Sequence, residues 1–266
     1  MVTRLKVPPP VALPGEGDDE IDREIRTGSG HRIVVGCASR TVAGKENDDR
    51  VGIARPGPDE LSSHGFAVAV AGGIGTDGSG GKAAAVAISA VLDDYYATPS
   101  GWTPNKAFER VLRACNDWLH SQNMRDTEAD GAVATLSLLL LKDGKYFVAH
   151  VGDTRIYRGE RHNFKVLTTD HLWPRHDLRH IPKRAVGLDT HLVVDFAEGD
   201  LGDEDSFILV TDGVWEVLGD AHLRDSVSGT GSPKRIADDL VAQAMDRQAK
   251  YMGRNDASAA VVRVCR

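Results

Sequence analysis

Ala67-Val68-Ala69-Val70-Ala71-Gly72-Gly73-Ile74-Gly75-Thr76-Asp77-Gly78-Ser79-Gly80-Gly81 carries a run of small apolar residues into a glycine-dense turn, and a small-residue helix is expected from Lys82. A short apolar run of this kind reads as a buried strand, and glycine lets the backbone turn sharply and approach a ligand closely. The stretch has the form of a phosphate or metal site. No carboxylate stands at the strand end, however, and the first acid is Asp77, inside the turn.

The chain around this stretch is rich in strands. Ile33–Ala38 and Val51–Ala54 are short apolar runs on either side of the polar turn Gly44-Lys45-Glu46-Asn47-Asp48-Asp49. Downstream, Ala84, Ile88, Val91 and Tyr95 share one helical face. Thr103-Pro104 then opens a second helix as cap and first residue, with an apolar stripe of Phe108, Val111, Leu112, Cys115, Trp118 and Leu119. Val133–Leu141 and Tyr146–Val151 form a hairpin about Lys142-Asp143-Gly144-Lys145. Further strands are expected at Arg155–Arg158, Lys165–Thr168, Leu192–Phe196 and Phe207–Thr211. Ser232-Pro233 starts a last helix, and Ala259–Val264 closes the chain. Strands following strands in runs argue for α+β, with two antiparallel sheets and helices packed outside them.

The bulk properties narrow the choice. At 266 residues and 41% hydrophobic, the chain can bury one large core or two small ones; no linker follows residue 30, so residues 29–266 are read as one domain. Residues 1–28, with Pro8, Pro9, Pro10 and an acidic run from Glu16 to Glu24, read as a flexible leader, part of which can dock as an edge segment. A net charge of −7 argues against a nucleic-acid partner. No apolar segment is long enough to span a membrane, and the N-terminus lacks the order of a secretory signal. Cys37, Cys115 and Cys265 lack CxxC spacing and read as reduced thiols of a cytoplasmic protein.

The chemistry lies with acids at turns beside apolar runs: Asp48-Asp49, Asp153, Asp212 and Asn255-Asp256. One such acid is ordinary; four such places are not. Buried carboxylates need a partner or a metal, and an oxygen-rich, sulphur-free set suits Mg or Mn. Two such ions can hold a phosphoryl group and generate hydroxide from water. The alternatives fail: there is no P-loop, GxGxxG, GxSxG or HExxH. The histidines form no metal-spaced pair, with His171, His176 and His180 expected to be solvated or phosphate-adjacent. The Trp and Tyr residues fall on expected core faces, which argues against a cofactor cage.

Asn47-Asp48-Asp49, Val70-Ala71-Gly72-Gly73-Ile74-Gly75, Ala134-Thr135-Leu136, Ala149-His150-Val151-Gly152-Asp153-Thr154-Arg155-Ile156-Tyr157, Leu167-Thr168-Thr169-Asp170-His171, Arg184-Ala185-Val186-Gly187, Thr211-Asp212-Gly213-Val214 and Asn255-Asp256-Ala257-Ser258 follow one another in an order that resembles the metal-dependent protein phosphatase 2C (PPM) family. The resemblance covers about residues 30 to 266. Asp94–Thr98 through Trp118–His120 is similar, more narrowly, to bacterial members that work beside a serine/threonine kinase. It implies a β-sandwich flanked by helices, with two Mg or Mn ions at one end. There a metal-bound water attacks phosphoserine or phosphothreonine of a protein substrate. By position, Asp48 and Asp49 match the first acidic motif, one as ligand and one as support. Gly73 matches a backbone-carbonyl ligand, Asp212 a ligand of the first metal, and Asp153 the acid that helps hold a third ion. Thr135, Thr168 and Asp170 match supporting positions. The basic loop from His171 to Arg184 matches a flap beside the active site, and its Arg175, Arg179, Lys183 and Arg184 are expected to attract a phosphorylated segment.

Three positions depart from the family. It has an Asp bridging both metals where Gly72 stands. It has the order Asp-Asn where Asn255-Asp256 stands, so Asn255 and Asp256 both remain candidate ligands. It has a phosphate-gripping Arg where Gly44 stands, and neighbouring Lys45 offers only a point charge. Two readings follow: a serine/threonine phosphoprotein phosphatase with weakened metal binding, whose Asp49 and Asp212 carry the chemistry, or a catalytically inactive pseudophosphatase that binds a phosphoprotein or a kinase. A purely structural cation site is the third.

Overall fold

β4 (Phe66–Ile74) is the strand expected from the opening stretch, and its two faces enter different cores. Ala67, Ala69 and Ala71 face helices, whereas Phe66, Val68 and Val70 face a second sheet. The same division holds in β5 (Val133–Lys142), where Leu136, Leu138 and Leu140 pack outward and Leu139 and Leu141 inward. A strand covered on both faces has no solvent side to mark with polar residues, so these strands read as unbroken apolar runs.

The computed structural model describes residues 22–27, 30–42, 44–76, 78–125, 131–160, 163–174, 182–229, 231–250 and 255–266. The remaining strands are β1 (Arg23–Arg26), β2 (Arg32–Arg40), β3 (Asp49–Ile53), β6 (Lys145–Val151), β7 (Arg155–Glu160), β8 (Asn163–Val166), β9 (Asp195–Asp200), β10 (Ser206–Val210) and β11 (Ala257–Cys265). One antiparallel sheet has six strands in the order β1-β2-β11-β10-β7-β8; the other has five, β3-β4-β5-β6-β9. Their facing sides share Ile33, Val35, Phe207, Leu209 and Val262 with Val68, Val70, Leu139 and Val148. The fold is therefore the α+β sandwich expected from sequence.

Helices cover the outer faces. α2 (Ser79–Ser89), continued by a π-helical turn Ala90–Asp94, and α3 (Pro104–Arg125) lie on the five-stranded sheet. The alanines of β4 meet Ala83, Ala84 and Ala87 of α2, and small residues on both sides allow close approach. α4 (Asp212–Leu218), α5 (Asp220–Val227) and α6 (Pro233–Gln248) pack against the six-stranded sheet. The expected caps are present: Thr103 Oγ1 accepts from the Lys106 amide at 3.4 Å and Ser232 Oγ from the Arg235 amide at 3.3 Å.

Arg23–Arg26, within the segment read as a leader, docks on β2 as the edge strand β1, as expected for part of that segment. Several expectations need correction. α1 (Pro58–His64), α4 and α5 were not legible in the sequence. They span only seven or eight residues each, too short to stand alone. β8 and β9 are displaced from their expected spans by two and three residues at the start. Trp118 and Trp173 are 36% and 42% exposed, not core residues. No disulfide joins Cys37, Cys115 and Cys265 among the described residues.

Candidate active site

The ladder of the five-stranded sheet brings three positions into line at one end: Asp49 of β3 pairs with Gly72 of β4, which pairs with Thr135 of β5. β10 ends beside them. Thr211 is tied to β11 by two bonds with Ser258, both 3.1 Å, and its hydroxyl donates to Asp49 Oδ2 at 2.6 Å. The ends of both sheets therefore meet at Asp49. Asp212, the next residue, opens α4; its carboxylate accepts from the Gly213 amide and from Asn255 Nδ2, each at 2.9 Å. Asp153, in the turn between β6 and β7, faces Asp212 closely enough for the two charges to interact.

Burial and neighbouring acids dominate the electrostatics of these carboxyls. Burial, then the charge of Asp212, and in lesser part that of Asp256, push the Asp49 carboxyl up to about 8, although bonds from Thr211 and Ser258 work the other way. Burial and the charges of Asp153 and Glu216 raise Asp212 against its bonds from Gly213 and Asn255. Burial and Asp170 raise Asp153, opposed by a backbone amide and the Thr135 hydroxyl.

The structure divides the expected site residues. Asp49, Asp153, Asp212 and Asn255 are brought together. Asp48 turns toward the helix: its Oδ1 accepts from the Gly81 amide in the first turn of α2, at 2.6 Å. Of the adjacent acids, Asp49 is thus the inward one and Asp48 the support. Asp256 Oδ2 accepts from the Asp48 amide at 2.6 Å, whereas Asn255 faces Asp212. Gly73 is pressed between its neighbours; its amide donates to Asp48 O at 3.0 Å, and a Cβ there would collide with the Gly80 backbone. Gly72 is open by comparison. A Cβ there lies 3.1 Å from Thr135 Oγ1 and 3.5 Å from Asp49 Oδ1, so an acid at this position would point into the cluster. Gly44 and Lys45 are exposed. Asp77, Arg175, His176, Arg179 and His180 lie outside the described residues.

Of the expected flap, only residues 171–174 and 182–184 are described. Arg184 is tied to Asp195 Oδ1 at 3.0 Å and lies 3.2 Å from His171, so it is engaged within the fold. His171 is buried, not solvated: its Nδ1 accepts from the Gly152 amide at 3.0 Å and its Nε2 meets Asp195 Oδ2 at 2.9 Å. Burial would raise the Asp195 carboxyl, but the bond and charge of His171 and the charge of Arg184 hold it below its ordinary value. Thr168 accepts from the Ile156 amide at 3.2 Å and Asp170 grips Arg155 at 2.9 and 2.7 Å, both supporting roles. Two residues escaped the sequence reading. Asn116 bonds Gly187 N and Asp189 O at 2.8 and 2.9 Å, and Asn123 bonds Ala132 and Gly187. Their seven-residue spacing on α3 was the only signal.

Among the described residues, no group of three or more acid, histidine or cysteine side chains is arranged to hold a metal ion. The physical reason is visible: Gly72 has no carboxylate, Asn255 has no charge, and Asp48 and Asp256 face backbone amides. The donors that do converge are oxygens, and their raised carboxyls favour a cation. In chemistry this donor set suits a hard divalent ion, although it is not arranged around one and falls short of the charge that two ions need.

A six- and a five-stranded antiparallel sheet, with helices outside and an all-oxygen acid cluster at their shared end, define the class as a phosphatase-type sandwich. The chain belongs to the family described as Protein phosphatase 2C, whose profile matches residues 38–248. It is similar to the mitochondrial protein phosphatase 1K of Xenopus laevis, at 27% identity over 86% of this chain and 67% of that one. Two solved structures share the fold. One is PppA of Pseudomonas aeruginosa, named as a regulatory component of T6SS, with 23% identity, TM-score 0.70 and coverage of 86% of this chain and 97% of that one. The other is the catalytic domain of the serine/threonine phosphatase PstP with two manganese ions, with 20% identity, TM-score 0.71 and coverage of 89% and 100%. No helix among the described residues is long and apolar enough to cross a membrane.

Proposed function

We propose that this chain is a serine/threonine phosphoprotein phosphatase whose metal binding is weaker than the family pattern provides. The observation that carries this reading is the Protein phosphatase 2C match over residues 38–248, together with Asp49 held by the Thr211 hydroxyl and Asp212 held by Asn255 where the two sheets end. Asp49 and Asp212, with Asp153 and Asn255 alongside, would hold Mg or Mn; when bound, the ion supplies an activated water and neutralises phosphoryl charge.

The chain's own residues contribute the rest. Thr211 aims Asp49 through its hydroxyl. Asn255 supplies an amide where a second carboxylate would add charge, and it orients Asp212. Asp48, bonded to Gly81 and Asp256, fixes the loop that delivers Asp49. With Arg184 tied to Asp195, exposed Lys45 is the cation left on the first acidic loop to meet a substrate phosphate. On this reading the protein works in the cytoplasm on a phosphoprotein, beside a kinase.

The Gly72 and Asn255 positions favour a second reading, a pseudophosphatase that keeps the fold and recognises a phosphoprotein or kinase without hydrolysing it. Mn-dependent hydrolysis of a phosphopeptide, run beside a Gly72→Asp variant, separates the two. Activity in the wild-type protein supports the first reading; activity in the variant alone, or in neither, supports the second.

A further inference from the structure

Asp153, in the turn between β6 and β7, and Asp212, at the start of α4, sit on different elements, so their spacing depends on what joins those elements. We propose that Trp215 is a positioning residue for the acid cluster: its indole N–H, backed by the Arg155 guanidinium, fixes the Asp153 turn against α4. The proposal rests on the metal-site reading above.

Trp215 lies three residues after Asp212 in α4, and its Nε1 donates to the Asp153 carbonyl at 2.9 Å. One side chain thus joins the helix that carries one acid to the turn that carries the other. The Arg155 guanidinium covers the indole face, 3.4 Å from its centroid. That cation is itself aimed by several partners. Asp170 takes its Nε and Nη2 at 2.9 and 2.7 Å, and the Tyr157 hydroxyl takes Nη1 at 3.0 Å. Tyr157 in turn donates to Asp220 of α5 at 2.8 Å. A planar guanidinium can be held by a carboxylate fork and stack on an aromatic face together, which an ammonium cannot. The result is a rigid wall behind the indole drawn from β7, the segment after β8, and α5.

Filling the core does not explain this residue. Val214 and Leu218 do that from the same helix, at 0% and 7% exposure, whereas Trp215 is half-buried. What Trp adds over another ring is a single N–H, and here it lands on the backbone of an acid-bearing turn.

The test compares Mn affinity by titration calorimetry in the wild type and the Gly72→Asp background with three further changes in each. Trp215→Phe keeps a ring for Arg155 and removes the N–H. It is expected to weaken Mn binding by about 10–100-fold, as loss of an outer partner does, with the thermal midpoint in EDTA within a few degrees of its parent. Arg155→Lys, which keeps charge but loses the fork, weakens binding in the same direction. Trp118→Phe, exposed on α3, leaves it unchanged. Trp215 emission, taken as wild type minus Trp215→Phe, is expected to change on Mn addition. Unchanged Mn affinity in Trp215→Phe, or equal weakening by Trp118→Phe, overturns the proposal alone. If neither background binds Mn, the metal-site reading falls and this proposal with it.

Discussion

Restoring a carboxylate by Gly72→Asp probes the site at its weakest point. The new Cβ would lie 3.1 Å from Thr135 Oγ1, tighter than usual by a few tenths of an ångström, and 3.5 Å from Asp49 Oδ1. Thr135 is a short side chain that can give by that amount. The larger effect is charge. Two carboxylates about 5 Å apart repel by about 3 kcal/mol at an effective dielectric of about 20. Without metal, part of that is avoided by proton uptake, since Asp49 already keeps its proton to about 8. Each kcal/mol that remains lowers the midpoint of a domain this size by about 2–4 °C. With Mn, the same charge becomes a ligand, and binding should tighten by at least about 10–100-fold, the range seen for mere outer partners. The variant is thus expected to be less stable than wild type in EDTA and to gain more from Mn. Calorimetric Mn titration with thermal scans in EDTA and in excess Mn measures both. A folded variant that binds Mn no more tightly than wild type would refute the assignment of position 72 to the metal face.

Two further outcomes follow from the same geometry. Asp49 holds a proton up to about 8 when folded but only to its ordinary 3.8 when unfolded, so its contribution to stability is lost as pH rises through that window, at up to about 1.4 kcal/mol per unit. His150 acts in the opposite sense: burial, with the neighbouring His171, lowers it from 6.5 to about 4, so its contribution is lost as pH falls across that range. Between pH 6.5 and 8 only the carboxyl trend remains; the EDTA midpoint should fall there and excess Mn should flatten the slope, whereas a rising midpoint contradicts the account. Gly152→Ala tests the turn before Asp153. Gly152 has φ +108°, and a Cβ would collide with Thr135, so strain and overpacking should together cost about 2–6 kcal/mol in urea unfolding; a loss under about 1 kcal/mol would contradict the packing described.

The core was legible because β4 and β5 are apolar on both faces, and the acids were legible because they end such strands. What could not be read was direction. Asp48 and Asp49 are neighbours of one chemistry, and only the position of the Gly81 amide in α2 decides which turns inward. The same holds for Asn255 and Asp256, sorted by bonds to Asp212 and to the Asp48 amide, which are distant in sequence. His171 and Arg184 looked like a basic loop because their partner, Asp195, comes later in the chain on β9. α1, α4 and α5 escaped because tertiary packing, not periodicity, sustains helices of one or two turns. Trp118 was misplaced since an apolar stripe at helical spacing does not say where the stripe's edge meets water.

The central claim is that Asp49 and Asp212 still serve a working phosphatase site despite Gly72 and Asn255. Phosphate release from a phosphothreonine peptide as a function of Mn concentration, in wild type and Asp212→Ala, tests it most directly. The account predicts slow wild-type turnover that saturates only at high Mn and disappears in Asp212→Ala. Turnover that is unaffected by Asp212→Ala, or absent at every Mn concentration in the folded wild-type protein, would contradict it.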